Sequence, residues 1–201
     1  FYRHLCDLII EGVKMYSISE KQMEKHISFK GLEQADKYVK EKKSIIILAS
    51  HHNNWEWCSF VQPKIEHLIL MVYSPMRGNS LMEKFLLRSR ERWGGEFVPM
   101  SKTGRTLVSY NAKGRLTGLW LAVDQTALPT SKLWTMFLNR AAPFYSGPAK
   151  LAKKTNQPVF IQNVKKVKRG KYIAEYSLLF EEPGKLEEKD ILLAYVRKTE
   201  E

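Results

Sequence analysis

The sequence predicts an α/β fold, a single domain in which helices cover a mostly parallel central sheet. Three short apolar runs have the length of buried strands and are too short to cross a membrane, at residues 45–49, 68–73 and 116–123. Segments with helical spacing separate these runs, as in repeated strand–helix–strand units. The chain of 201 residues is long enough for one sizeable domain of this class.

The amino-terminal part is predicted to be mainly helical. Residues 1–17 carry Leu5, Ile9 and Val13 at helical spacing, with charged residues on the other side. We favour a helix that packs this apolar side on the core, and the alternative is a helix that lies on a membrane surface. A short helix capped by Ser19, a short strand and another helix then follow, at 19–26, 26–29 and 31–43.

The remaining chain alternates further helices with the strands. Helices are predicted at 54–60, 79–93, 103–112, 147–155 and 190–201. Additional strands are predicted at 97–98, 158–164 and 172–179. Residues 126–144 are predicted to be irregular, and residues 165–171 are predicted to form a basic turn between the last two strands.

The charge balance favours an anionic partner. The chain has 33 basic and 21 acidic residues, so its net charge is +12. Nucleic acid, an anionic membrane surface, an acidic protein or a phosphorylated substrate would each suit this charge. The sequence contains neither a recognisable nucleic-acid-binding motif nor the Cys/His spacing of a zinc site, so neither nucleic acid nor a metal is expected.

The polar residues after the first apolar run are the strongest candidates for chemistry. His51 and Glu56 lie at the carboxyl end of a predicted strand, where α/β proteins bind their ligands. They can meet only if His51 lies in the turn and Glu56 in the first turn of the next helix. A carboxylate beside the imidazole would orient His51 to remove a proton from an alcohol during acyl transfer. The alternative is a pair of loop histidines, His51 and His52, followed by a solvated acid.

The string SHHNNWEW, residues 50–57, resembles the signature of the bacterial late acyltransferases of lipid A biosynthesis. This lauroyl/myristoyl acyltransferase family lies within the lysophospholipid acyltransferase superfamily. Later segments resemble the family's further blocks in order and spacing, at 73–75, Asn79, Arg90, Gly94, 122–125, 136–140, 146–149 and 157–159. The chain departs from the family at Ser74, where an Arg is usual, and at Asn139, where a Gly is usual.

The resemblance implies roles for particular residues. His51 would be the general base and Glu56 its catalytic partner. The substrate-binding residues would be Arg90, Asp124, Asn54 and Arg88. Arg90 would contact a phosphate of donor or acceptor, since the Arg fork binds such oxygens bidentately. The alternatives are a solvated basic helix end for the arginines and a turn-capping acid for Asp124.

The resemblance also implies the reaction. A fatty acyl group would pass from an acyl thioester, on acyl carrier protein or CoA, to a hydroxyl of a membrane glycolipid such as a lipid A precursor. No cofactor or metal is implied, and the enzyme would work at the cytoplasmic face of the bacterial inner membrane. Another lipid acceptor, such as a phospholipid or an ornithine lipid, is an alternative. A non-enzymatic basic module that binds anionic membrane or nucleic acid is another.

Two further expectations concern the extent of the domain and its acyl site. We expect one acyltransferase domain over residues 1–201, without the family's N-terminal membrane anchor and C-terminal segment. Trp55, Trp57 and Trp134, with residues 143–145, are predicted to form an apolar slot for the acyl chain. The alternative for Trp57 and Trp120 is simple core packing.

Overall fold

The computed structural model describes residues 2–76, 78–125, 127, 131 and 133–200, and it confirms the predicted α/β fold. Within these residues the strands are β1 Ile27–Lys30, β2 Ile45–Ala49, β3 Leu68–Tyr73, β4 Glu96–Pro99, β5 Thr117–Ala122, β6 Trp134–Phe137, β7 Arg140–Pro143, β8 Val159–Lys168 and β9 Lys171–Phe180. The α-helices are α1 Tyr2–Met15, α2 Glu20–Met23, α3 Asp36–Lys40, α4 Ser80–Glu91, α5 Thr103–Ala112, α6 Gly147–Thr155 and α7 Glu188–Glu200. Short 3-10 helices lie at Leu32–Ala35, Trp55–Lys64, Met100–Lys102 and Pro183–Lys185.

Seven strands form the central sheet in the order β1-β9-β8-β2-β5-β3-β4 among the described residues. The five strands from β8 to β4 run parallel, whereas β9 is antiparallel to β8 and parallel to β1. β2 lies at the centre, between β8 and β5, and all of its residues are buried. This burial explains why β2 reads as an uninterrupted apolar run, because helices cover both faces of a parallel sheet.

The two faces of β2 contribute to two separate cores. Successive side chains of a strand point to opposite faces. Ile45 and Ile47 pack with Trp57 in one core, beneath the 3-10 helix Trp55–Lys64. Ile46 and Leu48 pack in the other, on the side of α6 and α7. Each of these fully buried side chains contributes about 1.5–3 kcal/mol to folding, so both layers hold the strand ends in place.

Side-chain caps start two of the described α-helices. Ser19 forms a capping box with Gln22 at the start of α2, as its position in the sequence predicts. Asn79 caps α4, and its side-chain oxygen accepts a hydrogen bond from the Met82 amide at 3.0 Å. These caps fix where α2 and α4 begin, and α4 carries Arg90 to the candidate site.

The prediction that residues 126–144 are irregular is wrong for residues 134–143. Residues 126, 128–130 and 132 lie outside the described residues. β6 and β7 form an antiparallel hairpin in which Trp134 faces Pro143. Its turn places Leu138 and Asn139 in left-handed backbone conformations, with φ of 48° and 62°. Hairpin turns of this kind usually contain glycine, so the sequence lacks the usual signal.

The predicted basic turn at 165–171 is mostly strand. β8 continues to Lys168 and β9 begins at Lys171, so only two residues connect them. Lys165 pairs with Ile173 across the two strands. Lys165, Lys166 and Lys168 occupy this more exposed end of β8, where side chains that point to solvent need not be apolar. Because this segment is so strongly basic, its sequence was interpreted as a turn and not as a strand.

The orientation of α1 contradicts the expected core packing. The helix buries Asp7, Glu11 and Met15, whereas Ile9 and Val13 are 59% and 62% exposed. Its polar side therefore faces the protein and its apolar side faces outward, the reverse of an ordinary amphipathic helix. Within the described part of the chain, every helix is too short or too polar to cross a bilayer.

Specific partners compensate for the burial of the α1 acids. Asp7 pairs with Lys166 and Arg169 on the hairpin of β8 and β9. Glu11 accepts hydrogen bonds from Asn54 at 2.6 Å and from the Tyr172 hydroxyl at 2.9 Å. Buried polar groups are tolerated where such partners replace water. Helical spacing alone does not reveal these partners.

Candidate active site

Two polar residues meet at the carboxyl edge of the sheet. Ala49 of β2 pairs with Ala122 of β5 in parallel register, and the Val123 amide donates to the Ala49 carbonyl at 3.0 Å. His51 and Asp124 each lie two positions beyond these paired alanines. Neighbouring parallel strands therefore bring the two side chains together, at the edge where α/β proteins bind ligands.

One carboxylate orients both the ring and the backbone of His51. The Nδ1 atom of His51 lies 2.7 Å from Asp124 Oδ1, and the His51 backbone N–H donates to Asp124 Oδ2 at 2.7 Å. Burial raises the pKa of Asp124, but the hydrogen bonds from His51 outweigh it and hold the pKa below its usual value. An ionised carboxylate only accepts hydrogen bonds. We therefore assign the proton to Nδ1, which leaves the lone pair on Nε2.

Glu56 does not pair with His51, which differs from the prediction. It lies in the first turn of its 3-10 helix, as expected, but its carboxylate is bonded to Arg90 of α4. Arg90 Nε donates to Glu56 Oε2 at 2.7 Å, and Arg90 Nη2 donates to the other carboxylate oxygen. The planar guanidinium matches a carboxylate bidentately, and an imidazole cannot offer that geometry. The carboxylate that is hydrogen-bonded to His51 is that of Asp124.

The indole of Trp55 contacts both His51, which is hydrogen-bonded to Asp124, and Arg90, which forms an ion pair with Glu56. It meets His51 edge to face, with ring centroids 4.7 Å apart. The Arg90 guanidinium lies 5.3 Å from the centroid of the same indole and 5.5 Å from that of Phe97. Trp55 also stacks on Trp120 at 6.3 Å. Cation–π and aromatic contacts of this kind fix side-chain positions, so Trp55 couples the positions of His51 and Arg90.

The structure gives Asn54 and Arg88 positions away from this group. Asn54 is 1% exposed, donates to Glu11 and accepts from the Trp57 amide at 3.2 Å. Its side chain therefore caps the 3-10 helix and ties the loop to α1. Arg88 is exposed, and its guanidinium lies 5.9 Å from the Tyr16 ring centroid. Neither side chain lines the cavity described below.

A cavity of about 620 Å³ opens beside His51 and the ion pair of Arg90 with Glu56. Its walls are mainly apolar and come from β3, β5, α4 and α6. The polar groups that face it include His51, Glu56, Arg90, Tyr73 and Glu83. Cavities of roughly 300–1,000 Å³ with a few converging polar groups are typical binding sites. The arrangement can bind an apolar chain and present a base to a group at its end.

The predicted aromatic slot is found only in part. Trp55, Trp120 and Tyr145 line the cavity. Trp57 belongs to the core, is 0% exposed and donates through its indole N–H to the Glu11 carbonyl. Trp134 lies on β6 and is 52% exposed. The core interpretation therefore holds for Trp57, whereas Trp120 packs in the core and also faces the cavity.

The sequence did not single out Glu83 or the pairing of His51 with Asp124. The Glu83 carboxylate accepts from the Met76 amide at 2.7 Å and lies 3.5 Å from the Tyr73 hydroxyl. An acid in the first turn of a capped helix offers a weak signal. The pairing of His51 with Asp124 had a better signal, because each residue closely follows an apolar run that was predicted to be a strand. Among the described residues no group of three His, Cys, Asp or Glu side chains could hold a metal ion.

A family model for bacterial lipid A biosynthesis acyltransferases matches residues 2–191. The chain belongs to this family. A search of curated proteins found no significant match. Membership confirms the resemblance seen in the sequence motifs and identifies the chain as an acyltransferase of lipid A biosynthesis. Residues 51–57, the cap of α4 and the strand end at Asp124 all fall within the matched region.

Proposed function

We propose that this acyltransferase moves a fatty acyl group from an acyl thioester to a hydroxyl of a lipid A precursor. The donor would be acyl carrier protein or CoA, which would serve as co-substrate with no further cofactor. The observation that carries the proposal is the contact between Asp124 and His51, which lines an apolar cavity. It supplies an oriented base beside a space that suits an acyl chain.

The proposed reaction needs no nucleophile from the protein. His51 Nε2 takes the proton of the acceptor hydroxyl while that oxygen attacks the thioester carbonyl carbon. The carbon–sulfur bond then breaks, and the imidazolium returns the proton to the departing sulfur. Asp124 stays ionised and stabilises the imidazolium, because its low pKa disfavours taking up the proton itself. The products are an ester and a free thiol, so atoms and charge balance.

Arg90 and Glu56 are proposed to bind and position the phosphate of a substrate. The side chains of Arg90 and Glu56 are 13% and 25% exposed, so their pair is screened less than a surface ion pair. Glu56 uses two of the guanidinium N–H groups and holds the fork in place. The remaining N–H groups are proposed to donate to a phosphate of donor or acceptor. Glu56 is thus a positioning residue for Arg90 in this proposal, and not a partner of His51.

The proposed location is the cytoplasmic face of the bacterial inner membrane. A net charge of +12 suits an acidic carrier protein, a phosphorylated glycolipid and an anionic leaflet. Phospholipids and ornithine lipids are the alternative acceptors, since they too present a hydroxyl or phosphate near an acyl chain.

The test is an acyl-transfer assay with purified protein. Labelled acyl-carrier-protein and acyl-CoA donors are each offered with a lipid A precursor, a phospholipid or an ornithine lipid, and products are identified by mass spectrometry. We expect an ester of the lipid A precursor, and loss of it in His51→Ala by about 10²–10⁴-fold. Equal transfer by the His51 variant would overturn the mechanism. Transfer to another lipid alone would overturn the acceptor and leave the mechanism standing.

A further inference from the structure

The outward side of α1 forms an unusual apolar surface. Leu5, Ile9, Ile10 and Val13 are 41%, 59%, 62% and 62% exposed, and three of them recur at helical spacing on one face. These four residues are called the α1 outer face. A contiguous, exposed apolar stripe is typical of a surface that binds a protein or a membrane, whereas apolar residues exposed one at a time are ordinary. The polar side of the same helix faces the protein.

The exposed charge of α1 is positive. Both acids of the helix, Asp7 and Glu11, are buried, at 6% and 7% exposure. Arg3 and Lys14 are exposed beside the α1 outer face. A helix with an apolar face, basic flanks and no exposed acid has the composition of helices that lie in an anionic membrane interface. Binding to a protein partner would not explain why Asp7 and Glu11 are both buried, because exposed acids on this helix would not prevent such binding.

A basic hairpin lies directly beside α1. The segment 165–171, called the basic hairpin, contains Lys165, Lys166, Lys168, Arg169 and Lys171. Asp7 holds it against α1 through contacts with Lys166 at 3.2 Å and with Arg169 at 2.8 Å. Val167 within it is 60% exposed. An exposed aliphatic residue among cations can enter a bilayer interface while the cations contact lipid phosphates.

The surface continues from α1 towards the cavity. Tyr16 stacks on Phe85 of α4 with centroids 4.9 Å apart. Leu81 lies one helical turn before Phe85 and is 79% exposed. On its inner side α4 lines the cavity with Leu86 and Leu87. Apolar contact with a bilayer along α1 and α4 would therefore bring the cavity to the lipid surface.

We propose that the α1 outer face and the basic hairpin form a docking surface for an anionic lipid bilayer. Lys165 pairs with Glu175, and Lys166 and Arg169 pair with Asp7. The α1 outer face would enter the interface, and the exposed Lys168 would contact lipid phosphates and contribute about fivefold in affinity. The proposal deepens the proposed function by naming the surface that meets the membrane. Lipid binding is measured without catalysis, so the two proposals fail separately.

The test measures binding to vesicles by flotation. Wild-type protein is mixed with vesicles of phosphatidylcholine alone, or with about 30% phosphatidylglycerol, at about 0.1 M and 0.5 M salt. We expect strong binding only to the anionic vesicles at low salt. Ile9→Gln with Val13→Gln should weaken it by about tenfold or more, because two aliphatic groups no longer enter the interface. Lys168→Gln should weaken it by about fivefold.

The matched control is Val108→Gln, which replaces a 71% exposed aliphatic residue on α5. It should bind as wild type does, and thermal unfolding should show that all variants are folded. His51→Ala should also bind normally, whatever its activity. Unchanged binding by the Ile9 and Val13 double variant would overturn the proposal. The proposal would also be overturned if the double variant changed from dimer to monomer in sedimentation and still bound vesicles, because the α1 outer face would then contact a second copy of the chain. If Lys168→Gln bound vesicles as wild type does and lost binding to the acyl carrier protein, the hairpin's part in the proposal would be overturned and assigned to the carrier protein.

Discussion

Two histidines lie next to strands of the same sheet, one at the carboxyl ends of the strands and the other at the amino ends. His51 follows the carboxyl end of β2, and His67 precedes the amino end of β3. The His51 side chain is 29% exposed and contacts a carboxylate, whereas His67 is 0% exposed and contacts the Lys43 carbonyl at 3.0 Å. At the carboxyl ends of parallel strands, polar residues that follow several different strands lie close together and remain accessible to a ligand. The amino edge here encloses its histidine, so the position in the fold, and not the residue type, decides which one can act as a base.

The largest expected effect separates the two histidines by activity. His51→Ala should lower the acyl-transfer rate by about 10²–10⁴-fold, because the general base is lost. His67→Gln should leave the rate within about threefold, because its side chain reaches no substrate. The measurement is the initial rate with saturating acyl thioester. Similar losses in both variants would show that His51 acts through stability and not through catalysis.

The second prediction concerns the acid that distinguishes His51 from His67. Asp124→Asn should lower the rate by about 10²-fold or more, because an amide in that place no longer fixes Nδ1 as the protonated nitrogen. The matched control is Asp36→Asn, the same chemical change at an exposed position on α3. A rate for the Asp124 variant equal to that of the control would remove Asp124 from the mechanism.

The third prediction separates two arginines of one helix. Arg90→Lys keeps the charge but loses the bidentate contact with Glu56, so kcat/KM should fall by about tenfold. Arg88→Lys should change kcat/KM by less than about twofold, because that residue is exposed and outside the cavity. An equal loss in the Arg88 variant would instead support its predicted contact with substrate.

The smallest expected effect is on stability and belongs to His67. Burial lowers the pKa of His67 from 6.5 and outweighs the hydrogen bond to Lys43, so the folded protein keeps the ring neutral. The unfolded chain takes up a proton first as the pH falls. The stabilising contribution is therefore complete above about pH 6.5 and is lost as the pH falls from there through the lower folded pKa.

Denaturant unfolding at about pH 7.5 and 5.5 checks this sign. The free energy of unfolding should fall more for wild type than for His67→Gln, since glutamine does not titrate. The variant itself should be destabilised by about 1–3 kcal/mol at the higher pH, because a buried hydrogen-bonded group is replaced. The rest of the chain is identical in the two proteins, so its contribution to the pH dependence cancels in the difference. Identical pH dependence would show that His67 is accessible to protons when folded.

Sequence reasoning predicted most of the sheet because its central strands carry a strong local signal. β2 and β3 are uninterrupted apolar runs, and their lengths match those predicted. The hairpin of β6 and β7 was missed because Leu138 and Asn139 occupy left-handed positions that usually require glycine. Where a strand depends on backbone pairing and not on apolar burial, its sequence looks like a loop.

Four of the six predicted site residues lie close together, but their pairings were not predicted. His51, Glu56, Arg90 and Asp124 all face the same region of the molecule. The pairing of His51 with Asp124 depends on β5 lying next to β2, although β3 and β4 come between them in the sequence. The burial of the acidic side of α1 likewise depends on contacts with residues far along the chain, such as Tyr172. Contacts between residues that lie far apart in the chain leave no local sequence pattern from which they could be predicted.

The most direct test of the account is a double-variant cycle at His51 and Asp124. The central claim is that these two residues act as one unit, with the acid orienting the base. If so, the variant that combines His51→Ala with Asp124→Asn should transfer acyl groups no more slowly than His51→Ala alone, because the acid has nothing left to orient. A double variant slowed by the product of the two single effects would contradict the account, since it would show that each residue acts independently.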